Sequence, residues 1–157
     1  MPAARSLAVE PLTPAAFAPF GRVLHPDPAA ALTINDGFTT RFHALAEVET
    51  DGAPVILSLF RGRPRPLLLT MLERHPLGAQ AFFPLGRRAW ITVAAAAPDA
   101  PLRAFLCPPD AGVLIGRGVW HHPLLTLAAQ DFLVADRVRP EENLETAALP
   151  APVALTL

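Results

Sequence analysis

The chain has no lysine, no tyrosine, only two serines (Ser6 and Ser58) and a single cysteine, Cys107, in 157 residues. Without lysine there is no Schiff-base nucleophile, and without tyrosine no phenolic acid. A hydroxyl or thiol nucleophile would have to be Ser58, Cys107 or a threonine, and none sits in a G-x-S-x-G elbow or another recognisable nucleophile setting. One thiol cannot close an intramolecular disulfide and has no metal-spaced partner, which fits a reducing compartment. Runs of one charge are also missing: 13 arginines against 14 carboxylates leave a formal charge of −1. That balance gives no footprint for a nucleic-acid backbone or an anionic membrane surface. No stretch approaches the roughly 20 apolar residues that span a bilayer, and the first ten residues lack the apolar centre of a secretory signal. A cytoplasmic protein with no membrane or nucleic-acid partner is expected, its chemistry confined to His, Glu, Asp, Arg or a metal.

Apolar residues and proline are abundant. Hydrophobic residues make up 52% and charged residues 17% of the chain, as in a globular protein, and the length predicts a single domain over 1–157. Proline occurs 19 times, more than twice the usual share of about 5%, and throughout the length, which leaves little room for long helices. Eight short apolar runs bounded by Pro, Gly or Asp (55–60, 67–72, 81–83, 90–96, 102–106, 113–115, 124–127 and 131–137) predict an all-β sandwich or barrel. Thr13 before Pro14 predicts one short helix ending near Phe20, and a second turn is expected around 141–148. The stretch from Ala95 to Pro101 reads as a hairpin loop.

Polar residues concentrate in two apolar settings. In Glu73-Arg74-His75-Pro76-Leu77-Gly78-Ala79-Gln80, the period-two alternation of a strand puts Glu73 and His75 on one face. The Pro/Gly turn allows Gln80 to return to the same pocket. A carboxylate, an imidazole and an amide would then form a metal or substrate site; the competing reading is a strand-end salt bridge from Glu73 to a nearby arginine with His75 half exposed. In Val119-Trp120-His121-His122-Pro123-Leu124, adjacent histidines point to opposite faces, so at most one enters the interior, and the pattern does not say which. Arg41 and the alternating Arg61, Arg63 and Arg65 are candidates to grip a carboxylate, which would imply an anionic small substrate. Asp136-Arg137 reads equally as an ion pair or as part of a pocket wall.

Together, Asn35-Asp36-Gly37 with Arg41-Phe42-His43, the run from Leu72 to Phe82, Val119 to Leu124, and Asp131 to Arg137 resemble the ureidoglycolate lyase family, over about residues 7 to 145. The resemblance implies a cupin-like β-barrel with one or two short helices, usually homodimeric. It implies cleavage of ureidoglycolate to glyoxylate and urea in allantoin and purine breakdown. It also implies a divalent metal, nickel being the one proposed for the family, and no organic cofactor. Compared with the metal-binding motifs of cupins, Glu73, His75, Gln80 and His121 stand at the ligand positions. Glu73, His75 and His121 are thus the expected catalytic residues, with Gln80, Arg41, Arg61 and His122 expected to bind substrate. A high apolar fraction with little charge joins the family precedent in predicting a homodimer.

The chain also departs from the family. Many relatives carry a polar Asn-Tyr-His run where this chain has Leu114-Ile115-Gly116, and Leu144 follows Asn143 where a cysteine is common. A non-catalytic cupin-like protein, either a small-molecule binder or a structural dimer, is the alternative these departures favour.

Overall fold

The computed structural model describes residues 3–157. Its strands are β1 (Arg5–Pro11), β2 (Gly21–Leu24), β3 (Ala31–Ile34), β4 (Thr39–Phe42), β5 (Val55–Gly62), β6 (Leu68–Arg74) and β7 (Gln80–Pro84). They continue with β8 (Trp90–Ala95), β9 (Arg103–Cys107), β10 (Gly112–Ile115), β11 (Trp120–His121), β12 (Leu125–Thr126), β13 (Gln130–Arg137) and β14 (Glu145–Thr156). All eight apolar runs are strands. The one α-helix, α1 (Pro14–Phe17), starts where the capping signals put it: the Thr13 hydroxyl accepts from the Ala16 amide at 3.1 Å.

Two sheets carry the architecture. In the larger, the strand order β11-β6-β14-β1-β9-β8-β12 closes on itself because β11 also pairs with β8, making a ring of six strands. The β1–β14 and β1–β9 pairings are parallel and the rest antiparallel. The smaller sheet has the order β2-β10-β7-β13-β5 and is antiparallel throughout. Strands β3 and β4 form a separate exposed hairpin around Asn35-Asp36-Gly37, whose φ angles of 54°, 57° and 88° are all left-handed.

Alternation along β8 shows how the layers stack. Ile91, Val93 and Ala95 join Leu69, Leu72, Ala104, Leu149, Val153 and Leu155 in one apolar cluster, which draws on every ring strand once Leu7, Val9 and Trp120 are included. Trp90 and Ala94 join Phe105, Cys107, Phe82, Val113, Phe132 and Val134 in a second, between the ring wall and the five-stranded sheet. Buried on both faces, β8 reads as a continuous apolar run rather than an alternating one. Edge-to-face contacts lock the second cluster: Trp90 against Phe132 at 5.2 Å and Phe17 against Phe105 at 5.3 Å. The Trp90 indole N–H donates to the Ala111 carbonyl at 2.9 Å, so its burial strands no donor.

The expected turn around 141–148 is only partly present. Residues Pro140–Glu142 form one 3-10 turn, and Glu145 onward is the 12-residue strand β14. Pro150 and Pro152 make this segment look unlike a strand by local pattern; they fall in the register break between Ala148 and Val153, and an irregular stretch is where a sheet tolerates a missing N–H. No helix among the described residues is long and apolar enough to cross a membrane.

Candidate active site

The ring wall and the five-stranded sheet each bring side chains to one place. From the ring, β6 supplies Glu73 and β11 supplies His121, which are register partners. Trp120 turns into the ring core, so His121 points the other way, toward the second sheet. His75 follows the end of β6. From the facing sheet, Gln80 opens β7 and Asp136 lies near the end of β13. They extend the inner-face pairing of Phe82 with Val134, and the Gln80 amide N–H donates to Asp136 Oδ2 at 3.0 Å. The site therefore occupies the space between the sheets, while the ring encloses its own apolar cluster.

Glu73, His75 and His121 offer ligand atoms that all lie within 4.8 Å of one another. His121 Nε2 stands 3.7 Å from Glu73 Oε1, and the two imidazole rings are 5.0 Å apart between centroids. The alternative salt bridge is not formed: Glu73 pairs with no arginine among the described residues, and Arg74 instead binds Glu145 at 2.7 Å and lies over the Trp120 ring.

Backbone carbonyls set both tautomers. His75 Nδ1 lies 2.7 Å from the Asn143 carbonyl and His121 Nδ1 lies 2.9 Å from the Val119 carbonyl. A carbonyl only accepts, so each Nδ1 carries a proton directed at it, which leaves each Nε2 as the atom turned away from the backbone. Asn143, itself buried, also accepts the Leu77 N–H through its side chain at 2.6 Å, fixing the turn after His75. Among the described residues, the buried side-chain polar atoms without a partner are His75 Nε2, His121 Nε2 and Gln80 Oε1. All three belong to residues of this site. Buried orphans of this kind require an explanation, since leaving one costs about 1–3 kcal/mol.

Burial sets the protonation. His121 is almost wholly enclosed, and desolvation pulls its pKa down to about 4, so the ring is neutral near pH 7. Desolvation raises the pKa of Glu73, partly opposed by His75, and likewise that of Asp136, partly opposed by its bond to Gln80.

A cleft of about 540 Å³ opens onto Glu73 and Gln80, walled by Phe60, Phe82, Pro123 and Leu124. Its exposed rim is the segment Arg61–Arg65. Arg61 itself is committed elsewhere: its guanidinium makes two bonds to Asp131, at 2.9 and 3.2 Å, on the outer side of the sheet. Arg63 and Arg65 remain at the rim. His122 is buried beside the cleft, Nδ1 against the Pro123 carbonyl at 2.8 Å, with its pKa lowered by burial and in part by Arg65. Arg41 lies on the exposed β3–β4 hairpin, outside the cleft lining. Ile115, from the run that departs from the family, is Gln80's register partner, so an apolar side chain borders the amide.

Two bare imidazole nitrogens and a carboxylate are a donor set suited to a divalent transition metal, with the neutral Gln80 oxygen as a further oxygen donor in the same cleft. Both imidazoles are already held by carbonyls at their other nitrogen, as ligating histidines usually are. The residues present therefore fit a metal.

An all-β, cupin-like fold with a His/Glu cluster between its sheets defines a class: proteins that handle a small polar ligand by acid–base or metal chemistry. Sequence comparison narrows it. The ureidoglycolate lyase family model matches residues 4–156. The chain is 51% identical over 148 residues to ureidoglycolate lyase 1 of Rhizobium meliloti (strain 1021), covering 88% of this chain and 86% of that protein. It is 47% identical over 160 residues to the ureidoglycolate lyase of Burkholderia mallei (strain NCTC 10229), covering 97% and 94%. The Brucella ovis (strain ATCC 25840 / 63/290 / NCTC 10512) ureidoglycolate lyase is 48% identical over 149 residues, covering 89% and 88%. The chain belongs to the ureidoglycolate lyase family.

The sequence left Asp136 open between an ion pair with Arg137 and a pocket wall; in the structure Asp136 binds Gln80 while Arg137 pairs with Asp51 at 2.8 Å, and Asn143 was not among the sequence candidates. The available signal was parity with respect to Gln80 for Asp136, and nothing for Asn143, whose role lies mostly in its backbone carbonyl.

Proposed function

We propose that this protein cleaves ureidoglycolate to glyoxylate and urea. Family membership supports the reaction, and the observation that carries the chemistry is the convergence of Glu73 with the bare Nε2 atoms of His75 and His121. The substrate is a carbinolamine with a carboxylate. Cleavage removes the hydroxyl proton, the O–H electrons become the aldehyde C=O, the C–N bond breaks, and its electron pair takes up a proton on the departing urea nitrogen. One shuttled proton balances the reaction. Glu73 is suited to carry it, because burial moves its proton affinity toward neutrality, where general bases work best. The Nε2 lone pairs accept the hydroxyl or ureido N–H and orient them, and Arg63 and Arg65 at the rim attract the carboxylate. A divalent metal, nickel in the family reading, would be held by Glu73, His75 and His121 with Gln80 beside them, and when bound it would lower the hydroxyl pKa as a Lewis acid.

The test is glyoxylate release from ureidoglycolate, with and without added nickel, manganese or zinc. Release above the spontaneous rate supports the reading. Its absence under all conditions favours a cupin-like binder or structural dimer without activity, the reading that the apolar Ile115 beside Gln80 supports.

The same reading includes a cytoplasmic place in allantoin breakdown, supported by the single buried thiol, and a homodimer. The outer face of β5 supports the dimer: Leu57 and Leu59 are about 70% exposed (71% and 67%), with Val55 and Leu133 beside them. An unpaired edge strand with such a face is a site of association.

A further inference from the structure

We propose that Asp136 is a positioning residue: by accepting the Gln80 amide N–H, it turns Gln80 Oε1 into the cleft as the acceptor for the N–H donors of a ureido group. The inference rests on the ureidoglycolate reading and deepens it.

A glutamine amide is nearly symmetric in shape but opposite in polarity at its two ends, so something must decide which end faces the ligand. Gln80 Nε2–H donates to Asp136 Oδ2 at 3.0 Å, and a carboxylate oxygen that accepts this bond would repel Oε1 in its place. Both residues are buried (Gln80 6% and Asp136 8% exposed), so water does not offer an easy alternative partner. Cross-strand packing removes other choices, because the register neighbour on the opposite side is the apolar Ile115. Gln80 Oε1 is left with no protein partner although its residue lines the cleft with Glu73. Asp136 is absent from that lining, so it acts through Gln80 rather than on the ligand. A ureido group carries three N–H bonds. An unpaired Oε1 matches such donors, whereas a flipped amide would present N–H to N–H.

The probe is hydantoate, which keeps the ureido group and carboxylate of the substrate and lacks the hydroxyl needed for cleavage. Its Kd is measured calorimetrically for wild type, Gln80→Leu, Asp136→Leu, the double variant and Asp136→Asn. Losing one neutral hydrogen bond predicts a Kd about 3- to 10-fold weaker for Gln80→Leu, with Asp136→Leu weakened in the same direction. The double variant should bind no more weakly than Gln80→Leu, since the two residues act as one unit. Asp136→Asn keeps a carbonyl oxygen facing Gln80 Nε2, so this variant should bind within about twofold of wild type. In turnover, Asp136→Leu should raise KM more than it lowers kcat. If Asp136→Leu does not fold, Gln80→Leu against the double variant still decides, because removing both partners of a buried pair is better tolerated than removing one.

The proposal is overturned if Asp136→Leu binds hydantoate like wild type, or if the losses multiply in the double variant. It is also overturned if Asp136→Leu weakens Ni2+ binding while leaving hydantoate unchanged, which would make Gln80 a metal ligand instead. A wild type that neither binds hydantoate nor releases glyoxylate overturns the ureidoglycolate reading itself, and the ligand assigned to Gln80 with it.

Discussion

Acid should destabilise this protein through His121 in a defined window. The ring is 1% exposed, donates Nδ1–H to Val119 and leaves Nε2 without a partner. Its pKa falls from the ordinary 6.5 to about 4 because desolvation penalises the charged form. Below pH 6.5 the unfolded chain takes up this proton and the folded chain does not, so stability is fully present above 6.5 and is lost as pH falls to about 4. At about 1.36 kcal/mol per pH unit, that gap is worth about 3 kcal/mol, a large share of the 5–15 kcal/mol typical of a domain. The carboxyls of half-buried Glu73 and buried Asp136 work in the opposite sense, since their raised pKa values favour the folded state at low pH. The His121 contribution is therefore read as a difference. Urea unfolding of wild type and His121→Leu, followed from pH 7.5 to 4 with EDTA present so that no metal competes with the proton, should show the variant losing about 3 kcal/mol less over that range. Parallel stability curves would refute the argument and mean that the imidazole is hydrated or protonated in the folded protein.

Replacing Glu73 or His75 by alanine should lower kcat/KM for ureidoglycolate by a factor of about 10² to 10⁴ with an unchanged circular dichroism spectrum, as expected for proton-transfer or ligand groups; activity that simply follows the folded fraction would remove them from the site. Leu59→Glu should shift light scattering from twice the 16.8 kDa chain mass to the monomer value if the outer face of β5 is the dimer surface. A wild type that is already monomeric sinks that assignment. Gly21→Ala should destabilise the protein by more than the few tenths of a kcal/mol typical of surface changes, because the new Cβ would stand 1.8 Å from the Leu114 carbonyl oxygen and force β2 away from β10. Chemical denaturation reads this directly, and an unchanged midpoint would show that β2 is free to move.

Local pattern determined a good deal of this protein. Apolar runs between prolines and glycines became strands at all eight positions, and Thr13-Pro14 became the helix start, because capping and alternation depend only on neighbours a few residues away. Glu73 and His75 share a site for the same reason. The absence of lysine and tyrosine also confined the chemistry, by residue type alone, to histidine, carboxylate, arginine and metal. What lies beyond a few residues was decided by tertiary structure. The proline-rich segment that became β14 took strand form because its prolines fall in the register break opposite β6, which no local propensity encodes. His121 rather than His122 joins Glu73 because Trp120 is claimed by the ring core. Arg61 reads as an anion grip until Asp131, 70 residues away, is seen to hold it. Asp136 faces Gln80 only because β13 pairs with β7 in one register out of several. A side chain's alternation along its own strand is a property of the backbone, but the identity of what it meets is a property of strand pairing and sheet packing, and these are non-local.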